Sequence, residues 1–491
     1  MSRKSRLAWC AVSCCALAMV LTPALNAQSV VLENLPYSGG VLMARAIQQG
    51  RVQIHPGVPN PLGVPPVTCT PAPCVFTPDR ASEGGQAVNE NPIAVNPKNP
   101  QNLLTGGNDY NCGNIQGFFS SSDGGSTWSH VCLSGSGGEG DPIVGFDLNG
   151  TAYAGGIQNS DYVLSSSTDG GKIFGTPVIV SKPLLGSLAD KPWLEIDLNS
   201  TSPFKNALYV SGTQFASNSN SEISVSHSTD GGKTWTTKVV DTEQHYPSEV
   251  DQFSDLAIGA DGTVYVNWLR CPANGPTGNC GDTVGNIMFS KSTDGGNTWS
   301  TPSVTTTVTL MPDPSGGGFY GTLPHFNSER ISDIPSNAVV GSGSTAKVYV
   351  AVYTWTGAVA EVELVTSIDG GTTWGAPVVV SAPTTGDQFF QWVNAGPGGK
   401  VGVTWLDRRN DTADKLYQPF FAISGAGGAS FGGAKALSSA KSNPAKDGFG
   451  GSFMGDYRTH VWSGTVINAV WMDTTTGTNN CQDEFGGTKL H

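Results

Sequence analysis

Short runs in which apolar and polar residues alternate recur along this chain, separated by glycine-rich turns. Glu222-Ile223-Ser224-Val225-Ser226 and Thr237-Lys238-Val239-Val240 are one such pair. A period of two with β-branched residues predicts strands buried on one face. Between them stands Ser228-Thr229-Asp230-Gly231-Gly232-Lys233-Thr234-Trp235, with near-copies at Ser121 to Trp128, Ser167 to Phe174, Ser292 to Trp299 and Ser367 to Trp374. A worn copy runs from Ser424 to Phe431, with Ala426 where the acid should be. Asp before Gly-Gly is turn chemistry: the carboxylate accepts nearby backbone N–H groups and glycine supplies positive φ. Each copy is therefore expected to be a hairpin turn, its aromatic residue starting the next strand. Asp123, Asp169, Asp230, Asp294 and Asp369 are read as fold staples rather than metal ligands, because one identical turn per unit marks a repeat architecture.

A second repeat lies between these turns. Short apolar runs led in by polar residues begin at Glu90, Asp141, Asp190, Asp251, Arg330, Asp387 and Asp456. Each precedes a second strand, most clearly Val264-Tyr265-Val266-Asn267-Trp268, Val401-Gly402-Val403-Thr404-Trp405 and Ile467-Asn468-Ala469-Val470-Trp471. The unit predicted is inner strand, second strand, third strand, turn, outer strand. Repeated around an axis it makes an all-β propeller of four-stranded blades. Seven blades are favoured and six are the fallback. The last unit has too little chain for four strands, so the stretch before Glu90 is expected to complete it.

The turn formula resembles the Asp box, or BNR repeat, of the sialidase superfamily, over residues 121 to 431. That resemblance implies a propeller with the boxes between the third and fourth strands at the rim, away from the active site. It implies sialidase chemistry less strongly, because a fold hosts many functions.

The formal charge of −13, the low share of charged residues (13%) and the 64 glycines fit a turn-rich β protein. No basic stripe is present for nucleic acid. Residues 1 to about 27 read as a secretory leader, with Arg3, Lys4 and Arg6 before the apolar run Leu7 to Leu21, too short for an anchor. Its removal takes the charge to −16 (−13 − 3). A secreted or periplasmic chain without a transmembrane anchor is expected. Residues 28 to about 85, with Pro56, Pro59, Pro61, Pro65, Pro66, Pro71 and Pro73, read as an extended irregular arm, and 86 to 491 as the propeller. Export makes disulfides the natural reading of the remaining cysteines: Cys69–Cys74, Cys112–Cys132 and Cys271–Cys280, with Cys481 left over.

If the boxes share one face with the loops joining first and second strands, the opposite face holds the loops that enter inner strands and leave second strands. That is where a ligand would bind. Entering loops carry Glu90, Glu139, Asp141, Asp190, Lys191, Glu249, Asp251, Glu329, Arg330, Asp387, Asp456, Tyr457 and Arg458; leaving loops carry Asp109, Tyr110, Arg270, Asp407, Arg408, Arg409 and Asp473. Arginines clustered on one face suit an anionic ligand. The resemblance implies that Arg270, Arg330, Arg408, Arg409 and Arg458 supply a carboxylate-binding triad. It also implies Tyr457 with Glu249 as nucleophile pair and Asp141 or Asp190 as acid/base. The first reading is a sialidase-like glycosidase acting on an acidic sugar. Alternatives are a non-catalytic propeller binding glycan or protein, and another carbohydrate-active enzyme such as a polysaccharide lyase. A monomer with a glycan partner and no cofactor is expected, with a structural calcium among the ring of carboxylates as the open alternative.

Overall fold

The computed structural model describes residues 32–52, 74–75, 80–82, 85–275, 278–313, 318–326, 328–381, 385–425, 427–475 and 482–489. The expected leader, the Cys69–Cys74 pairing and Cys481 lie outside the described residues.

The strands form an all-β propeller of four-stranded sheets. In one of them Leu188–Ile196, Leu208–Phe215, Ser221–Ser228 and Thr236–Val239 run as an antiparallel meander outward from the axis. Five more repeat this order, with innermost strands Ile93–Asn96, Gly138–Phe146, Val250–Ile258, Ser336–Val340 and Gln388–Ala395. Six blades, not seven, are thus each drawn from one unbroken run of chain. The first of them also carries Val88–Asn89, paired with Asn99–Asp109. The remaining strands His460–Ser463, Val466–Asp473 and Gln482–Lys489 form a further sheet, whose outer strand Cys74–Val75 comes from the other end of the chain. His460–Ser463 packs between Gln388–Ala395 and Ile93–Asn96, which makes the circle of sheets continuous.

Each Ser-x-Asp-Gly-Gly stretch joins the third strand of a sheet to the fourth. Ser228 Oγ donates to Asp230 Oδ1 (2.8 Å) and accepts from the Gly232 N–H (3.0 Å). Asp230 Oδ1 accepts from the N–H groups of Lys233 and Thr234, both at 3.0 Å, and Oδ2 accepts from Thr234 Oγ1 at 2.6 Å. Gly232 sits at φ +82°, where a Cβ would be strained. Asp123, Asp169, Asp294 and Asp369 accept from their own turns in the same way. In the worn copy the Gly428 N–H still donates to Ser424 Oγ at 2.9 Å, while residue 426 lies outside the described residues. The core lies between sheets. Trp268, Trp405 and Trp471, all on second strands, are completely buried there. Disulfides join Cys112 to Cys132 and Cys271 to Cys280.

The arm departs from its expected extended form. Gly39–Gln48 is a helix, α1, with Val41, Leu42, Met43, Ala44 and Ala46 all buried. Ser38 is its N-cap, the side chain accepting from the Val41 N–H at 3.3 Å. The many prolines downstream dominate the composition of 28–85 and hide this short helix, and the Gly39-Gly40 start is itself a poor helix signal.

Ser228→Ala tests the staple. It leaves the buried Gly232 N–H without an acceptor and should lower unfolding stability in urea by about 1–3 kcal/mol. An unchanged midpoint would mean that the turn does not hold the blade edge.

Candidate functional site

Five innermost strands share one irregularity where they start. Against the second strand, Asp141-Pro142 opposes Gly156, Lys191-Pro192 opposes Gly212, Phe253-Ser254 opposes Trp268, and Phe390-Gln391 opposes Trp405. In the first blade Glu90-Asn91-Pro92 faces Gly106-Gly107. Each is a bulge, which breaks the alternation of side chains and re-aims them. The leading residue is left-handed each time: Glu90 (φ 60°), Asp141 (53°), Lys191 (51°), Phe253 (64°) and Phe390 (51°). Non-glycine residues in this region cost about 1–3 kcal/mol each and persist only where surroundings over-determine them. Proline at the next position in two of the five fits a bulge, where its missing N–H breaks no ladder bond.

The bulges bring Glu90, Asp141, Asp190 and Lys191 to the hub, where Asp456 and Tyr457 join them from the chain just before His460–Ser463, all six buried. Asp190 Oδ1 accepts from the Lys191 N–H (2.9 Å) and Oδ2 from Gln252 Nε2 (2.8 Å). Asp141 Oδ2 accepts from the Lys191 N–H at 3.0 Å. Glu90 Oε2 accepts from Asn108 Nδ2 (2.7 Å), and Oε1 from the Asp456 N–H (3.2 Å). Asp456 is gripped by Arg330 through Nε at 2.9 Å and Nη2 at 3.1 Å. The Lys191 ammonium stands 3.7 Å from the Tyr457 ring centroid and 5.0 Å from that of Trp193.

Crowding sets the protonation. Burial, then Asp456, pushes Glu90 up to about 7. Burial, then the charges of Glu90 and Asp190, holds Asp141 well above the usual carboxylate range. Burial lowers Lys191, and burial with Glu90 and Asp141 nearby drives the Tyr457 phenol well above 10. Glu90 is therefore brought to its midpoint near neutral pH, and Asp141 beside it is biased in the same direction, toward its protonated form.

Helix α1 covers this cluster. The Ser38 N–H donates to Asp190 Oδ2 and the Gly39 N–H to Asp456 Oδ2, each at 2.7 Å. A Cβ on Gly40 would lie 2.8 Å from Asp141 Oδ1 and 2.9 Å from Glu90 Oε2, and one on Gly39 would meet the Phe453 ring at 2.1 Å. Only glycine lets the backbone approach this closely. Pro36 O accepts from Gln252 Nε2 (3.0 Å) and Tyr320 Oη (2.8 Å), and Arg45 pairs with Glu139 at 3.2 Å.

The arginines named from sequence are distributed differently. Arg270 holds Asp251 with two bonds (2.7 and 2.8 Å) and also Asp241. Arg408 pairs with Asp387 at 2.7 Å and Asp414 at 3.2 Å. Arg409 grips Asp407 with two bonds (2.9 and 2.6 Å), and Arg330 is the partner of Asp456. Arg458 is buried, with no hydrogen-bond partner for its guanidinium among the described residues, and burial lowers it to about 9. Tyr457 donates its hydroxyl to Pro142 O at 3.0 Å, whereas Glu249 is exposed in the field of Arg270. Asp141 and Asp190 do come together, through the Lys191 N–H that both accept. Sequence reading placed Glu90, Lys191 and Asp456 on this face without a role. The signal that could have raised them is an ionisable residue at or next to the start of the inner strand in several units. The contribution of Ser38 to Gly40 had no such signal.

Below the hub the axis opens into a cavity of about 240 Å³ lined by all the innermost strands, including Glu195, Asp255, Trp193, Trp392, Asn337 and His460. The two tryptophan rings lie 4.6 Å apart. Burial first, then Asp255 and Asp197, pushes Glu195 up to about 8, and burial pushes Asp255 up to about 7. An acid raised in this way binds more protons folded than unfolded between its two pKa values. For Glu195 the stability contribution is complete below about 4.5 and lost as pH climbs through about 8. Glu195→Gln removes that titration, so its Tm should gain on the wild type by a few degrees between about pH 5 and pH 8.5. Parallel Tm profiles would assign the pH dependence elsewhere.

No protein-family model matches the chain, and no curated protein matches it. Solved structures similar to it include an ulvan lyase of a new polysaccharide lyase family, at 11% identity over 81% of this chain and 96% of that one (TM-score 0.47). An α-L-arabinanase of Penicillium chrysogenum complexed with arabinobiose is 15% identical over 71% and 92% (TM-score 0.43). The intramolecular trans-sialidase of Ruminococcus gnavus is 13% identical over 68% and 92% (TM-score 0.41).

Proposed function

We propose that this protein is a secreted, carbohydrate-directed propeller of glycoside-hydrolase type. Its reacting groups are taken to be the carboxyls at the hub rather than an arginine triad. The observation that carries this reading is the buried pairing of two carboxyls whose hold on a proton is strengthened, Asp141 and Glu90, the latter raised to about 7, where the inner strands begin. Glycoside cleavage needs one carboxyl to protonate the leaving oxygen and a carboxylate to serve as nucleophile or base. Asp141 is assigned as the acid, and Glu90 or Asp190 as the carboxylate partner. Lys191 is a positioning residue, its N–H holding both Asp141 and Asp190.

This reading takes the Ser-x-Asp-Gly-Gly turns as Asp boxes of the sialidase superfamily and counts the mixed-ended sheet as the closing blade. It favours a neutral sugar. Arg270, Arg330, Arg408 and Arg409 each already hold a carboxylate of the protein, so an acidic sugar would have to displace an internal partner from any of these four, which leaves the buried Arg458 alone and no triad. The sialidase form of the proposal keeps Tyr457 as nucleophile, with Glu90 in place of Glu249 as its acidic neighbour. The hydroxyl bond to Pro142 and the raised phenol weigh against it.

Aryl glycosides of neutral sugars and an aryl sialoside separate the two forms. Because α1 covers the carboxyls, both wild type and Gly40→Leu are assayed. Release from a neutral glycoside is expected, and Asp141→Asn in the active background should lower kcat by about 10²–10⁴-fold. Turnover of the sialoside alone would favour the tyrosine form. Turnover of neither, with binding on a glycan array, would leave a lectin-like propeller in its place.

A further inference from the structure

α1 belongs to no blade: it adds no strand to any sheet, and it reaches the hub through backbone donors. The body of the helix buries Val41, Leu42, Met43, Ala44 and Ala46 in the apolar core, but the contacts its start makes with the hub acids are polar, and buried ionic contacts are weak sources of stability. This segment brings a capped helix start to carboxylates, where the aligned peptide dipoles favour negative charge. Glycine is a weaker helix former than alanine, yet Gly39 and Gly40 open this helix. They are the residues whose Cβ would strike Phe453 and the Asp141–Glu90 pair. The start of the segment is thus shaped for close approach at the expense of its own helix. Three acceptor–donor sets surround it: Asp190 on Ser38, Asp456 on Gly39, and Gln252 with Tyr320 on Pro36 O. That is how a receptor surrounds a ligand.

We infer that the hub is a receptor for a polypeptide segment, occupied in cis by residues 36–48, and that the propeller is held closed until this segment is displaced. The site that the proposed function rests on is then self-covered, its donors supplied by Ser38 and Gly39 where a substrate's hydroxyl groups would otherwise stand.

Two variants of the full chain open the hub. Gly40→Leu puts a side chain against Asp141 and Glu90. Ser38→Pro removes the N–H donated to Asp190 and the capping hydroxyl, at a φ of −58° that proline adopts freely. The probe is a labelled synthetic peptide of residues 32–52. Saturable binding to at least one variant is expected, at least tenfold tighter than to the wild type, whose own segment competes. In native-state hydrogen exchange of the wild type, the amides of Val41 to Ala46 should exchange before those of Val264–Cys271. The inference is overturned if the α1 amides exchange only together with the sheets, if both variants fail to fold, or if no folded variant binds the peptide. None of these readouts needs a sugar, so peptide binding without any glycoside turnover would sink the hydrolase reading and leave this one standing.

Discussion

Acid groups taken out of water at the axis of a circular sheet array must each find a donor, a cation or a proton. The hub of this protein uses all three. Asp456 has the Arg330 guanidinium, Asp190 has amide donors from Lys191, Gln252 and Ser38, and Asp141 is biased toward its protonated form by burial and by Glu90 and Asp190. Lys191 supplies one positive charge in the middle, under the Tyr457 ring. Remove any of these compensations and a carboxylate is stranded in a low-dielectric space, so the surrounding loops and α1 are organised around them.

The bulges make the cluster possible. A regular inner strand would alternate its side chains between the channel and the sheet above or below. By inserting one residue in a left-handed conformation, five strands present successive ionisable or aromatic groups to the same space. The strain is tolerated because the ladder to the second strand resumes on either side of each bulge. The rim turns contribute from a distance: each closes its own hydrogen bonds internally, through Ser and Asp, and so fixes the outer strand without help from the hub.

The arginines illustrate why residues on one face need not act together. Arg270 is bidentate to Asp251, and Arg409 to Asp407, each within its own blade. The first joins facing residues of two paired strands, and the second closes the turn that leaves Val401–Asp407. Their shared face follows from propeller geometry, since loops that enter inner strands and leave second strands necessarily lie on one side.

The repeat was legible in the sequence because it is made of local chemistry. A serine, an aspartate and two glycines close a turn with partners no more than four residues away, so spacing alone predicts it. The four-strand unit and the burial of Trp268, Trp405 and Trp471 follow from alternation that any strand displays. Which side chains meet at the axis was decided only by tertiary structure. Ser38 and Asp190 are 152 residues apart, Gly39 and Asp456 are 417 apart, and contacts of that range depend on how the sheets close around one another. Local pattern carries no record of them, because nothing within a turn or strand of Gly39 explains why a helix should begin with two glycines.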